Sequence, residues 1–226
     1  MALFGPKYSV IIPVLNETHE RIMSCIDAIV KARSKVEVIV VDGGSENPPR
    51  IPKAKVILCE SPKNQLEEGV RAARGDVVCT IHADTLVPVN YFDAIDSALK
   101  AGVDYGVCTL DYDVSGFGAR VASFLANQLH AWFRFSWGDD AFFVRKNVLK
   151  EVDYANADVL VWNVYVSRKL AKKKYTFSKL DCHVVTSARR FQRVGFFRFA
   201  RWVLVLSIPA FFGMKRSLMV QTYKKL

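Results

Sequence analysis

The chain has 226 residues, 51% of them hydrophobic, enough for one α/β domain with a substantial core. Its 32 Lys and Arg against 22 Asp and Glu give a net charge of +10, so an anionic partner is expected: a phosphorylated metabolite, a membrane surface or a nucleic acid. Five scattered cysteines, Cys25, Cys59, Cys79, Cys108 and Cys182, contain no CxxC pair; they argue against zinc or redox work and for buried reduced thiols in a cytoplasmic protein.

The opening "MALFGPKYSVIIPVL" lacks a basic n-region and a cleavage site, so no export signal is expected. "YSVIIPVL" (8 to 15) is a β-branched run of buried-strand length, and "ETHERIMSCIDAIVKAR" (17 to 33) carries apolar residues at helical spacing. "VEVIVVDGG" (36 to 44) reads as a second strand and "AKVILCE" (54 to 60) as a third. "QLEEGVRAARG" (65 to 75) reads as a helix closed by Gly75 at C′, and "DVVCTI" (76 to 81) as the fourth strand. Strands without alternation, separated by helices, require a mostly parallel sheet covered on both faces, a doubly wound α/β fold.

From about residue 105 the pattern changes. "YGVCTLDYDV" is strand-like, "GARVASFLANQLHAWFRF" helical, "DAFFVRK" strand-like, "VLVWNVYVSRKLAKKK" a helix with a basic end, and "KLDCHVV" strand-like again. No repeat or linker divides the chain. A single domain over 1–226 is expected, with a nucleotide-binding half at 8–104, an acceptor half at 105–188 and a basic aromatic extension at 189–226.

In doubly wound sheets ligands bind beyond the carboxyl ends of the strands. The polar residues gather there: Asn16 and Glu17 after the first strand, Asp42 after the second, His82 and Asp84 after the fourth. Acids at adjacent strand ends suit a nucleotide bound with a divalent cation, and hard oxygen ligands select Mg²⁺ or Mn²⁺. Asp84 is the leading candidate ligand. His82 is either a second ligand or a loop hydrogen-bonder, and Asp42 before Gly43-Gly44 suits a base or ribose contact as well as ordinary turn chemistry. Neither GxGxxG nor GxxxxGK[ST] occurs, which disfavours dinucleotide and P-loop readings.

Together and in order, "YSVIIPVLNE", "VEVIVVDGGSEN", "NQLEEGVRAARGDVVCTIHADTLVP" and "WGDDAFFVRK" resemble the family 2 glycosyltransferases of GT-A fold. The resemblance is nearest to a short bacterial branch found beside radical SAM proteins, which carries "HADT" where others carry DxD. "VVTSARRFQRVGFFRF" is similar to that branch's "TSARRW" segment. The resemblance implies that Pro13, Asn16, Glu17, Gly44 and Gln65 border the nucleotide of a nucleotide-diphosphate sugar donor and that Asp42 meets its base or ribose. It implies that Asp84 holds Mn²⁺ or Mg²⁺ on the diphosphate, with His82 and a late histidine, His183, as further candidate ligands. Sugar transfer to a hydroxyl acceptor, a lipid-linked one included, with inversion, is the implied activity. Nucleotidyltransferases of similar fold are disfavoured because their N-terminal Gly-rich, Arg/Lys activation segment is missing.

Two departures stand out. Inverting members keep an acid of an "ED" pair on a late helix as base, but registration places Trp162 and Asn163 there, and Asn cannot take a proton. The family's Asn in "QLN" is Glu67. Three explanations stay open: Asp139 or Asp140 of "WGDDAFF" is the catalytic base, the acceptor needs none, or the chain is a lapsed enzyme that only binds donor. Arg189 and Arg190 of "TSARR" are candidates for diphosphate or an anionic acceptor, or are solvated charges.

On a helix, Arg190, Arg193, Arg198 and Arg201 of the extension share one face, while Phe196, Phe199, Val203 and Leu206 share the other. That pattern suits a peripheral contact with an anionic membrane surface, on the inner face for a cytoplasmic protein, or a helix covering its own domain. "WVLVLSIPAFFG" is too short to span a bilayer. Stacking on nucleic acid is not expected, since no RNA-binding motif accompanies the arginines.

Overall fold

The computed structural model describes residues 7–59, 65–155 and 161–189, with Gln192 and Gly195. The amphipathic face of the extension, with Arg190, Arg193, Arg198 and Arg201, lies outside the described residues.

The first half forms as its apolar runs dictate. Strand β1 is Tyr8–Val14, β2 Glu37–Asp42, β3 Lys55–Leu58 and β4 Val77–Thr80. β1 pairs in parallel with β2 and β4, and β2 with β3. Between them run helices α1 (His19–Ala32) and α2 (Gln65–Ala72). Helix α1 starts where the Thr18 side chain accepts from the Arg21 amide at 3.4 Å, and its spacing buries Ile22, Cys25, Ile26 and Ile29 on one stripe. Helix α2 stops at Ala72, three residues before the expected Gly75. Gly75 instead lies against β1, where an added Cβ would come within 2.6 Å of the Ser9 amide nitrogen. Glycine is needed there for backbone approach, not for a cap.

The second half is built from β5 (Thr85–Leu86), α3 (Tyr91–Lys100), β6 (Tyr105–Tyr112), α4 (Phe117–Phe133), β7 (Phe142–Arg145), α5 (Lys146–Leu149), α6 (Trp162–Lys172) and β8 (Phe177–Thr186). All eight strands join one sheet of order β3-β2-β1-β4-β7-β6-β8-β5. β7 runs antiparallel to both β4 and β6, while β8 is parallel to β6 and antiparallel to β5. The parallel, doubly wound character therefore belongs to β3-β2-β1-β4, and the later strands are mixed.

Alternate residues of each strand serve opposite faces. Val10 and Ile12 of β1, with Val38 and Val40 of β2, pack with α1 and α3, whereas Ile11, Ile39 and Val41 pack with α2 and α6. Helices thus cover both faces, which is why the strands read as continuous hydrophobic runs. Truncating Ile11, which is fully buried, to Ala is worth about 2–5 kcal/mol of stability. The four described buried thiols, Cys25, Cys79, Cys108 and Cys182, lie in this core, Cys59 is half-buried, and all five are free.

Candidate active site

The chain reverses direction of winding between β1 and β4, since β2 and β3 lie on one side of β1 and β4 on the other. A crevice opens at such a switch point, beyond the carboxyl ends of the strands. Asn16, Glu17, Asp42, His82 and Asp84 lie at or just beyond these strand ends.

Asp42 ends β2 and is 1% exposed. Its carboxylate accepts from the Gly44 amide (3.3 Å), the Ser45 amide (3.0 Å) and the Ser45 hydroxyl. Gly44 takes φ +94, a left-handed conformation that favours glycine. The Ser45 hydroxyl also accepts from the Asn16 amide at 2.7 Å, and the Asn16 side chain accepts from the Glu46 amide at 3.0 Å. The β1 and β2 end loops are therefore one hydrogen-bonded unit, with Asn16 exposed and at positive φ and Pro13 half-buried on β1. Gln65, buried at the start of α2, donates its amide to the carbonyls of Val14 (2.6 Å) and Val41 (2.7 Å). It clamps the ends of β1 and β2 together, a structural task that its polarity alone did not disclose. Glu67 is ion-paired with Arg71 at 2.7 Å.

On the other side of the switch point, His82 and Asp84 lie in the turn between β4 and β5, with the Thr85 amide donating to the His82 carbonyl. Asp84 does not stand alone. Arg189 Nη2 is 3.1 Å from Asp84 Oδ2 and 2.5 Å from Glu17 Oε2, and Nη1 is 3.1 Å from Glu17 Oε1. Pairing of β5 with the end of β8 carries Arg189 to this point: Thr85 faces Thr186, and the Ser187 amide donates to the Asp84 carbonyl. Burial alone would push the Glu17 carboxyl up, but bonds from Arg189, the Thr18 amide and Arg21 hold it down at about 2.

Two hard carboxylates thus converge on one cationic group. That donor set fits a divalent cation that keeps waters or substrate phosphates as its remaining ligands, so Asp84 with Glu17 would hold Mn²⁺ or Mg²⁺. The expected trio of Asp84, His82 and His183 does not assemble. His183 is exposed on β8 and its Nδ1 lies 2.7 Å from Oδ2 of Asp111 on β6. Among the described residues no three His, Cys, Asp or Glu side chains form a metal-holding group.

Downstream, the loop 136–141 carries the two aspartates to different fates. Asp140 is fully buried, accepting from Ser136 Oγ (2.5 Å), the Trp137 amide (3.2 Å) and the Gly138 amide (3.3 Å). Burial pushes its carboxyl up to about 7. A carboxyl with no exposed surface cannot reach an acceptor, so the expectation of a base at Asp140 gives way to a role in shaping the loop. Asp139 is 42% exposed, and its Oδ1 lies 3.8 Å from Nδ1 of His82. Gly138, at φ +106, is required twice over, because a Cβ there would also meet His82 Nε2 at 2.8 Å. Asn163, 2% exposed in the first turn of α6, donates to Thr80 Oγ1 at 2.8 Å and lies 3.4 Å from Ser136 Oγ. Trp162 is buried and donates its indole N–H to the Tyr154 carbonyl at 3.1 Å. Beneath the loop, His130 of α4 is wholly buried with Nε2 3.4 Å from Asp140 Oδ2. Sequence reading missed this pair, since a histidine inside an apolar helix gives no sign of what it faces.

A sheet parallel from β3 to β4 and mixed beyond, with acids at its switch point, defines the class: an α/β domain of GT-A fold. The family model "Glycosyl transferase family 2" matches residues 9–130, more than half of the chain, and the chain belongs to that family. The mannosyltransferase PcManGT from Pyrobaculum calidifontis, solved with GDP-Man and Mn²⁺, superposes with a TM-score of 0.66 at 21% identity, over 90% of this chain and 63% of that one. TarS of S. aureus superposes with a TM-score of 0.56 at 17% identity, over 80% of this chain and 35% of that one. A TarS fragment, 1–349, in complex with UDP-GlcNAc gives 0.56 at 15% identity, over 79% and 55%. The chain thus spans less than two thirds of each of these three structures. No curated protein matches it.

Proposed function

We propose that the chain transfers a sugar from a nucleotide-diphosphate sugar to a hydroxyl acceptor, with inversion at the anomeric carbon. The observation that carries this reading is the convergence of Glu17 and Asp84 on one cation, across the switch point of a family 2 domain. The bound GDP-Man with Mn²⁺ in one structural neighbour and UDP-GlcNAc in another support a donor of this class. In this proposal the loops that Asp42, Gly44 and Asn16 organise receive the nucleoside, with Pro13 and Gln65 holding β1 and β2 in place beneath it. Asp84 and Glu17, with His82 beside them, face the diphosphate. Mn²⁺ or Mg²⁺, when bound there, would neutralise charge on the departing diphosphate. Arg189, a planar guanidinium, either remains as a further cation against the phosphates or yields its place.

Asp139 is the proposed base: exposed, within reach of His82, and on the loop that α6 and β7 hold. It would take the proton of the acceptor hydroxyl as oxygen attacks the anomeric carbon from the face opposite the leaving diphosphate. Asn163 favours a second reading, a lapsed enzyme that keeps donor binding, because its buried amide stands where resembling enzymes keep an acid. The basic aromatic segment 189–226 keeps the expectation of contact with an anionic membrane on its composition; no described helix is long and apolar enough to cross one.

Calorimetry with UDP, GDP, CDP and TDP, with and without Mn²⁺, followed by hydrolysis of the sugar donor of the preferred base, tests both readings. Metal-dependent nucleotide binding with sugar release supports the transferase; binding without release supports the lapsed form. Absence of binding to all four nucleotides overturns both.

A further inference from the structure

Helix α4 is apolar on its outer face as well as on the side that packs on the core through Ala119, Ala126 and Leu129. Its inner stripe holds Ala119, Asn127 and His130, and Asn127 ties it to β6 by exchanging two 2.9 Å bonds with the Leu110 backbone. Its outer stripe, where polar residues are expected, carries Phe117 (84% exposed), Phe124 (61%), Leu125 (51%) and Trp132 (72%). Phe117 and Phe124 are two turns apart, Leu125 and Trp132 another two, so they form adjacent rows along one face. These are large aromatic and aliphatic groups on one contiguous surface, not scattered singly.

The charges around the stripe select its partner. No Asp or Glu occurs from Val114 to Gly138, while Arg120 and Arg134 are exposed near the helix's two ends. In a chain of charge +10, the helix face is apolar and aromatic along its length with an arginine near each end, and Asp111 of β6 lies beside Arg120 and Phe124 at one margin. Aromatic and aliphatic side chains on one face with arginines beside them are what an interfacial helix presents to anionic lipid. We infer that the outer face of α4 docks on the surface of an anionic membrane, lying in the headgroup region with Phe117, Phe124, Leu125 and Trp132 inserted. The helix runs directly into the loop that carries Asp139, so a bilayer bound here lies beside that loop. The surface is distinct from the C-terminal segment and stands whether or not that segment binds lipid.

The full chain is tested by flotation with phosphatidylcholine vesicles, with and without phosphatidylglycerol. The parent is expected to float with anionic vesicles and far less with neutral ones. The triple variant Phe117→Ser, Phe124→Ser, Trp132→Ser should lose on the order of 100-fold in vesicle affinity, three large apolar side chains having left the interface. Because all three are exposed, its melting temperature and nucleotide binding should match the parent's. Arg120→Glu should weaken binding to anionic vesicles alone. A parent that binds no vesicles overturns the inference. So does a triple variant that floats like the parent, even if Arg193→Glu, Arg198→Glu and Arg201→Glu together abolish flotation, which would assign the membrane to the C-terminal segment. A parent that is dimeric in light scattering and made monomeric by the triple variant, without vesicle binding, would make the face a self-interface and also overturn it.

Discussion

Arg189 and Glu17 meet across 172 residues of sequence in a two-pronged ion pair, with Nη2 2.5 Å from Oε2 and Nη1 3.1 Å from Oε1, and the same Nη2 is 3.1 Å from Asp84 Oδ2. One guanidinium therefore neutralises both acids of the proposed metal site. Without it the two carboxylates repel each other, and a divalent cation relieves that repulsion. Arg189→Ala is expected to tighten Mn²⁺ binding in the absence of nucleotide, measured by calorimetry. Unchanged Mn²⁺ affinity would show that the guanidinium and the metal do not share the site.

The same pair sets an acid-stability signature. Glu17 sits at about 2 in the folded chain against an ordinary 4.5. A depressed carboxyl contributes stability that is present above the ordinary value and lost as pH falls through the folded one. Arg189→Ala should flatten this part of the acid limb between about pH 4.5 and 2, measured as the urea midpoint at successive pH values. A limb identical to the parent's would place the Glu17 shift elsewhere.

Asp84→Ala is expected to abolish metal-dependent nucleotide binding while changing the melting temperature little, because Asp84 lies in a turn beyond β4 and outside the core. Donor binding in Mn²⁺ as tight as the parent's would remove Asp84 from the metal site.

Asp42→Ala should behave differently, losing both affinity and stability. It removes the acceptor of the Gly44 amide, the Ser45 amide and the Ser45 hydroxyl; Gly44 is exposed and Ser45 half-buried, so water replaces part of what is lost, and hydrogen bonds to a charged group are worth about 1.5–3 kcal/mol at most. Nucleotide affinity should fall with or without metal, and Asp42→Asn, which keeps an acceptor oxygen, should recover part of the melting temperature. A loss seen only with Mn²⁺ would contradict this role.

The buried pair beneath the loop predicts a bent pH profile. Burial lowers His130 to about 4 and raises Asp140 to about 7. For His130 the unfolded state binds more protons between about pH 4 and 6.5, so its contribution makes stability rise with pH. For Asp140 the folded state binds more protons from about pH 4 to 7, so its contribution makes stability fall. The two oppose each other in the acidic range, and the Asp140 contribution alone remains as pH approaches 7. Asp140→Asn should therefore remove the decline near neutral pH, read from denaturant midpoints, although its NH2 then faces a donor of the loop and lowers the midpoint at every pH. A parallel decline in the variant would refute the assignment.

For catalysis, Asp139→Asn should lower sugar transfer by about 10²- to 10⁴-fold, the usual contribution of a positioned general base, with nucleotide affinity retained. If the chain is lapsed, Asn163→Asp should instead raise turnover from a low start. Turnover indifferent to both substitutions would place the proton elsewhere.

Much of the first half was legible because it is local. β-branched runs become strands wherever they stand, their carboxyl ends are defined by the residues that follow, and Asn16, Asp42, His82 and Asp84 stand at those ends by position alone. The doubly wound parallel character and the family resemblance rest on the same stretch, while the order β3-β2-β1-β4 came from the structure.

What only the tertiary structure decided are the relationships between residues far apart in the chain. Two adjacent aspartates look alike in "WGDD", yet the loop buries Asp140 under three donors and leaves Asp139 beside His82. His183 resembles a late metal ligand until its partner proves to be Asp111. Gln65 reads as a nucleotide contact but spends its amide on two strand-end carbonyls. Arg189 reaches Glu17 and Asp84 only because β5 pairs with β8. Periodicity and turn chemistry are encoded within a few residues, whereas burial and electrostatic partnership depend on which distant elements the sheet brings side by side.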